Sequence, residues 1–138
     1  MILVSGGFDP LHDGHIDYLE EAAELDRVIV ALNSDEWLIR KKGYRLLPWL
    51  TRYRILSRMD IVLDVIPFDD SDDTVCDALI KVNPDYFANG GDRKKANPLE
   101  NKVCDELGVI QLFGIGGEKT MSSSDLVRKA CDHCKSAL

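Results

Sequence analysis

The sequence predicts an α/β fold: a single Rossmann-like domain over residues 1–138, with a doubly wound parallel five-stranded sheet and helices on both faces. Three observations carry this expectation. Short continuous apolar runs rich in β-branched residues recur along the chain, the pattern of strands covered on both faces. Between them, apolar residues fall at the spacing of amphipathic helices, and strand–helix alternation calls for right-handed crossovers and a parallel sheet. A length of 138 residues fits one domain, large enough to bury about two thirds of the surface its unfolded chain exposes.

Residues 1–5 form the first run and 27–32 (Arg-Val-Ile-Val-Ala-Leu) the second. Residues 61–68, 86–88 and 109–113 supply the other strands, the run at 86–88 being the least marked. The first helix spans about residues 14–25, with Ile16, Leu19, Ala22, Ala23 and Leu25 on one face. Residues 33–48 are expected as loop, and Leu50, Tyr53, Ile55, Leu56 and Met59 mark the next helix. Val75, Ala78, Leu79 and Val82 follow the spacing i, i+3, i+4, i+7, with Ser71 or Asp72 as N-cap. Leu99, Val103 and Leu107 form another stripe, closed by Gly108. The last helix covers 125–138, with Ser122, Ser123 and Ser124 at its start. In such sheets ligands bind beyond the carboxyl ends of the strands, where the strand order switches. Functional residues are therefore expected in 6–15, 33–48, 68–73, 89–98 and 114–124.

Hydrophobic residues at 45% and charged residues at 30% mark globular composition rather than disorder. The net charge of −7 argues against a nucleic-acid partner, which needs a basic surface to neutralise phosphates. It leaves room for a locally basic site that binds a small anion. The apolar opening soon meets Gly6, Gly7 and Asp9 without a basic leader, so no signal peptide is expected. No run reaches the roughly 18 apolar residues of a membrane span, and a cytoplasmic location without membrane contact is expected. Cys131 and Cys134 form a lone CxxC around His133, two ligands where a structural zinc site takes about four. Ordinary reduced thiols are the expected state.

The strongest functional signal is Gly6-Gly7-Phe8-Asp9-Pro10-Leu11-His12-Asp13-Gly14-His15. Gly6 and Gly7 let the backbone turn sharply and approach a ligand. The helix that follows is expected to offer free N–H groups and the positive end of its dipole, which suits phosphate. His12 and His15 lie three apart on the turn into that helix, with Gly14 leaving room between them, so both imidazoles can reach one point. Two of the chain's 3 histidines within this short stretch, at the ligand end of a strand, count against a plain capping or packing role. Thr120, Ser122, Ser123 and Ser124 precede the last helix and form a second expected phosphate site. A plain N-cap is the simpler alternative there.

These residues resemble the G-x-F-D-x-x-H-x-G-H signature of the cytidylyltransferase-like nucleotidyltransferase superfamily. The similarity runs over nearly the whole chain: residues 2–32, Asn33-Ser34-Asp35-Glu36, Asn89-Gly90-Gly91-Asp92 and Ser122-Ser123-Ser124 fall in the order of that family's blocks. The glycerol-3-phosphate cytidylyltransferases and the adenylyltransferase domain that makes ADP-heptose are the most similar groups. The resemblance implies an enzyme in which the phosphate of a small phosphorylated sugar or polyol attacks the α-phosphorus of CTP or ATP. Pyrophosphate leaves, no covalent enzyme intermediate forms, and the product is an activated precursor for cell-surface polysaccharide or lipid. It implies Mg²⁺ carried by the NTP rather than held by fixed protein ligands, and a homodimer. His12, His15 and Lys42 would be catalytic, the histidines bonding phosphate oxygens in the transition state. Gly6, Gly7, Phe8, Asp9, Gly14, Arg52, Asp92, Ser122, Ser123 and Ser124 would bind the nucleotide. Asp9, Asp35, Lys41 and Arg93 would bind the acceptor.

The chain departs from the glycerol-phosphate enzymes in two places. They carry an arginine near the start of the Ser/Thr block, where this sequence reads Gly116-Gly117-Glu118-Lys119, and another where it has Asp60. The heptose enzymes carry a carboxylate at the latter position and the same Gly-Gly-Asp as Gly90-Gly91-Asp92, which moves the expectation towards a sugar phosphate. A catalytically idle nucleotide-binding sensor or scaffold of the same fold is the alternative, and loss of one histidine of the pair would be its mark; both are intact. A flavodoxin-like module would not need the pair. A class I aminoacyl-tRNA synthetase, which uses a related one, would be far longer and less acidic.

Overall fold

In the computed structural model, which describes residues 1–91, 97–117 and 121–137, five parallel strands form one sheet in the order β3-β2-β1-β4-β5. They are β1 (Ile2–Gly6), β2 (Val28–Leu32), β3 (Val62–Ile66), β4 (Tyr86–Gly90) and β5 (Ile110–Ile115). Strand alternation sorts the core into two layers. Ile2, Val4, Val28, Val30 and Leu32 point to one face, where they meet Leu19, Ala22 and Leu56. Leu3, Ile29 and Ala31 point to the other, against Val75, Ala78, Leu79 and Cys104. The first layer is covered by α1 (Asp13–Leu25) and α3 (Trp49–Ser57), the second by α4 (Cys76–Val82) and α5 (Pro98–Leu107). The doubly wound expectation is met.

Full coverage is not uniform. β1 and β2 are buried on both faces, whereas β3 and β5 are edges: Leu63 is 55% and Ile110 56% exposed. Their apolar runs resemble those of the central strands, so sequence alone does not tell edge from centre.

Residues 33–48, expected as loop, contain α2 (Asp35–Lys42). Ser34 caps it, accepting the Trp37 N–H at 3.1 Å, and Gly43 closes it at φ 82°. Acidic Asp35 and Glu36 at its start and basic Arg40, Lys41 and Lys42 at its end suit the helix dipole. Only Leu38 is buried, so the helix carries almost no apolar stripe. In α3 the inward residues are Arg52 and Leu56 with Trp49 and Tyr53, while Leu50 and Ile55 face outward. In α5 Leu99 is likewise outside, and Glu100 and Cys104 are buried; Gly108 closes that helix as expected. Neither Ser71 nor Asp72 caps α4. Asp72 accepts from Thr74, and the Val75 N–H goes to the Glu100 carboxylate at 2.9 Å.

The last helix is α6 (Ser123–Ala137), and no helix among the described residues is long and apolar enough to cross a membrane. From β1 the chain winds outward through β2 to β3, then returns to the far side of β1 for β4 and β5. The reversal between β1 and β4 opens the sheet at their carboxyl ends, where such folds place ligands.

Candidate active site

β1 and β4 pair only at Ile2↔Tyr86 and Leu3↔Phe87. Beyond that point the strands diverge, and the hydroxyl of Tyr18 on α1 bridges them. It donates to Ala88 O at 2.6 Å and accepts the Ser5 N–H at 3.4 Å. A cleft of about 350 Å³ opens above this bridge, a volume within the range of small-molecule sites. Its floor is Ser5, Gly6 and Gly7 from β1 and Ala88, Asn89 and Gly90 from β4. The start of α1 with His12, Gly14 and His15 also lines the cleft, as do Gly116, Gly117 and Met121 and, from α2, Trp37 and Lys42.

The two imidazoles stack with centroids 3.9 Å apart and planes at 26°, and the Phe8 ring tilts against His15 at 4.8 Å. Their orientation comes from a capping box. His12 Nδ1 accepts the Gly14 N–H at 3.0 Å, and His15 Nδ1 accepts the His12 N–H at 3.2 Å. A ring nitrogen that accepts from an N–H carries no proton, so this bonding assigns the ring proton to Nε2 in both. The expectation of free N–H groups at the start of α1 is narrowed here. The Gly14 N–H is taken by His12, and those of His15 and Ile16 by His12 O at 3.0 and 3.3 Å. The helix end therefore presents to the cleft its dipole and the two rings, whose Nε2–H groups are polarised by the N–H bonds at Nδ1. Gly14 has no freedom to be larger: a Cβ there would lie 2.9 Å from His12 Cε1.

Asp9 and Arg52 hold the loop from below rather than facing the cleft. Asp9 is 1% exposed and accepts the Leu46 and Leu47 N–H groups at 2.7 and 2.9 Å. Arg52, expected at the triphosphate, is fully buried. Its guanidinium donates to Gly7 O, Asn33 O and Leu47 O at 2.8–2.9 Å and to Asp35 Oδ1 at 2.7 Å. All of these bonds stay within the protein, because a buried guanidinium must satisfy its donors locally. Asp35, expected at the acceptor, also accepts from Arg45 at 3.0 Å. Burial pushes the Asp35 carboxyl up, but the Arg52 and Arg45 guanidinium groups outweigh it and hold it below the ordinary carboxylate value. Lys41 pairs with Asp73 at 3.2 Å outside the cleft, while Lys42 lines it.

The serine block ties α6 to the motif loop. Ser123 Oγ donates to Pro10 O at 2.7 Å, and Ser122 Oγ accepts the Asp125 N–H at 3.1 Å, the N-cap alternative realised. Ser124 is exposed, and Met121 rather than a serine of this block lines the cleft. Gly6, Gly7 and Phe8 lie in the lining. Asp92, Arg93 and Thr120 lie outside the described residues. The reading of the sequence missed Trp37, Tyr18 and the side chain of Asn89. Trp37 had a signal, since Ser34 three residues before it is a cap in a Ser-Asp-Glu start and Gly43 is a stop. Among the described residues no carboxylate lines the cleft, and no cluster of three or more His, Cys, Asp and Glu could hold a metal.

Comparison with known proteins agrees with this architecture. Residues 3–129 match the family model described as cytidylyltransferase-like. The chain is 35% identical over 132 residues to the bifunctional protein HldE of Erwinia tasmaniensis, covering 93% of this chain and 27% of that protein. It is 41% identical over 121 residues to that of Vibrio vulnificus, covering 86% and 23%. It thus spans about a quarter of the length of these curated relatives. The crystal structure of the lipopolysaccharide core biosynthesis protein from Thermoplasma volcanium superposes with a TM-score of 0.73 at 26% identity, over 86% of this chain and 97% of that one. With the paired histidines at the strand-order switch and a family match over most of its length, the chain belongs to the cytidylyltransferase-like family of nucleotidyltransferases.

Proposed function

We propose that this protein moves CMP or AMP from CTP or ATP onto the phosphate of a small phosphorylated sugar or polyol, releasing pyrophosphate. The observation that carries the reading is the pair of stacked imidazoles, each fixed through Nδ1 and each keeping its proton on Nε2, beside a glycine-lined strand end. Phosphates entering over Gly6 and Gly7 meet the dipole of α1 and the Nε2–H groups of His12 and His15, which donate to oxygens whose charge grows as the leaving group departs. Donors held in place before the reaction need no reorganisation during it. Lys42, also in the lining, draws the acceptor phosphate or the triphosphate towards the same point. Mg²⁺ bound to the triphosphate would neutralise part of its charge.

A sugar phosphate is favoured over glycerol phosphate as acceptor. Support comes from the HldE relatives, the lipopolysaccharide-core neighbour and the resemblance to the ADP-heptose-forming domain. We read the enzyme as a cytoplasmic homodimer that supplies activated precursors for surface polysaccharide. The test combines the purified protein with Mg²⁺, each of the four NTPs and a panel of phosphorylated sugars and polyols, following pyrophosphate release. Release with one NTP–acceptor pair is expected. Nucleotide binding with no release from any pair would sink the transfer reading in favour of a sensor. Light scattering checks the dimer.

A further inference from the structure

The ladder between β4 and β5 breaks at Asn89. Ala88 stands opposite Leu112, yet Gly90 stands opposite Ile115, so Phe113 and Gly114 together face Asn89. Such a bulge re-aims the side chains around it and is a recurrent device beside functional sites. Here it turns the Asn89 amide towards β5. Nδ2 donates to Leu112 O at 3.2 Å and to Gln111 Oε1 at 3.4 Å. A backbone carbonyl can only accept, so the atom beside Leu112 O is the nitrogen, and the orientation of the amide is fixed by chemistry. That leaves Asn89 Oδ1, on a residue only 2% exposed, with no hydrogen-bond partner among the described residues. A buried acceptor without a donor is costly and rare, and this one belongs to a residue that lines the cleft.

An uncharged oxygen repels phosphate oxygens and attracts O–H or N–H. Among the described residues the anion-attracting groups of the cleft are His12, His15 and Lys42, whereas Asn89 is followed along the lining by Gly90 and Gly91, which bring no side chains. We propose that Asn89 Oδ1 is a specificity-determining acceptor that takes a hydrogen bond from a hydroxyl or amino group of the nucleoside part of the bound triphosphate. This rests on the nucleotidyl-transfer reading of the same cleft, but its test needs no turnover.

Calorimetric affinities are measured with Mg²⁺ for ATP and CTP, for their 2′-deoxy and 3′-deoxy counterparts, and for ITP and UTP, which lack the amino group. In the wild type one of these deletions weakens binding about two- to tenfold, the effect of one hydrogen bond. Asn89→Leu weakens the parent nucleotide by a similar factor and binds the matching analogue as the wild type does. Asn89→Ala replaces it if the leucine variant lacks a cooperative thermal transition. Equal wild-type affinity for every analogue overturns the proposal, and so does a variant that keeps the discrimination. If ATP and CTP both fail to bind, this proposal and the transfer reading fall together. If discrimination depends on Asn89 while no acceptor ever releases pyrophosphate, the proposal stands and the transfer reading alone falls.

Discussion

Gly14 occupies the first turn of α1 with His12 Cε1 2.9 Å and His12 Nδ1 3.1 Å from where a Cβ would sit. Alanine favours a helix over glycine by about 0.5–1 kcal/mol, and the obstacle is a side chain that can swing aside. Moving His12 also breaks its cap to the Gly14 N–H, at about 1 kcal/mol, so Gly14→Ala should melt near the wild-type temperature while losing at least about tenfold in kcat/KM, or about 1.4 kcal/mol of transition-state stabilisation. Thermal melting paired with steady-state kinetics checks this, and wild-type turnover in the variant would show that the placement of His12 does not matter. His15→Ala should lose about one to two decades in kcat, since a hydrogen bond to a charged group contributes about 1.5–3 kcal/mol. It should also lose about 1 kcal/mol of stability, because the His12 N–H loses its capping acceptor. Denaturant unfolding reads the second effect and a pyrophosphate assay the first.

Among the elements, α2 and α3 are locked to the motif loop by Arg52, Asp35 and Asp9. Arg52→Leu removes donors from three backbone carbonyls and leaves the Asp35 carboxylate with Arg45 alone. Asp35 is 25% exposed and keeps Arg45, so the cost lies mainly in the three buried carbonyls, about 1 kcal/mol or more each, and urea unfolding should show a loss of about 3 kcal/mol or no folded baseline. Because the folded state holds the Asp35 carboxyl below its ordinary 3.8, it takes up a proton less readily than the unfolded chain. The stability this contributes is present above that value and fades as the pH falls below it towards the folded value. Asp35→Asn should be less stable than wild type at neutral pH and should decline less steeply as the medium is acidified below pH 3.8. Parallel stability–pH curves for the two proteins would contradict this. α2 itself was not legible in the sequence because a helix that buries only Leu38 shows no apolar period. Its cap, dipole-matched ends and terminal glycine were the readable signs. The strands were legible because continuous β-branched runs have few other uses, but the outward faces of Leu63 and Ile110 were not, since edge position depends on strand order.

Across the whole molecule, the cysteines report on packing. Cys104 is 1% exposed, and burial pushes its thiol up to about 11, whereas Cys131 and Cys134 lie exposed on α6. A thiol reagent near pH 8 should label Cys131 and Cys134 at once and Cys104 only after denaturant is added, as peptide mapping would show. The motif loop and its histidines could be read in the sequence because they are contiguous. The rest of the cleft could not, because it is assembled at long range. Tyr18 sits in an ordinary helical pattern, and only the parting of β1 from β4 gives its hydroxyl two backbone partners. Asn89 becomes distinctive only through a register shift against β5, and Arg52 reads as a surface cation until its acceptors are known.

The capping box of α1 has a consequence for how such a protein can evolve. The same two rings that line the cleft also start the helix, so on the transfer reading selection for folding and selection for turnover fall on the same pair of side chains. An intact pair is therefore not by itself the mark of an active enzyme, since a descendant relieved of its chemistry would still retain His12 and His15 until another residue took over the cap. Drift towards inactivity would be recorded first at lining positions outside the cap, with Lys42 and Asn89 the ones to watch in a lineage.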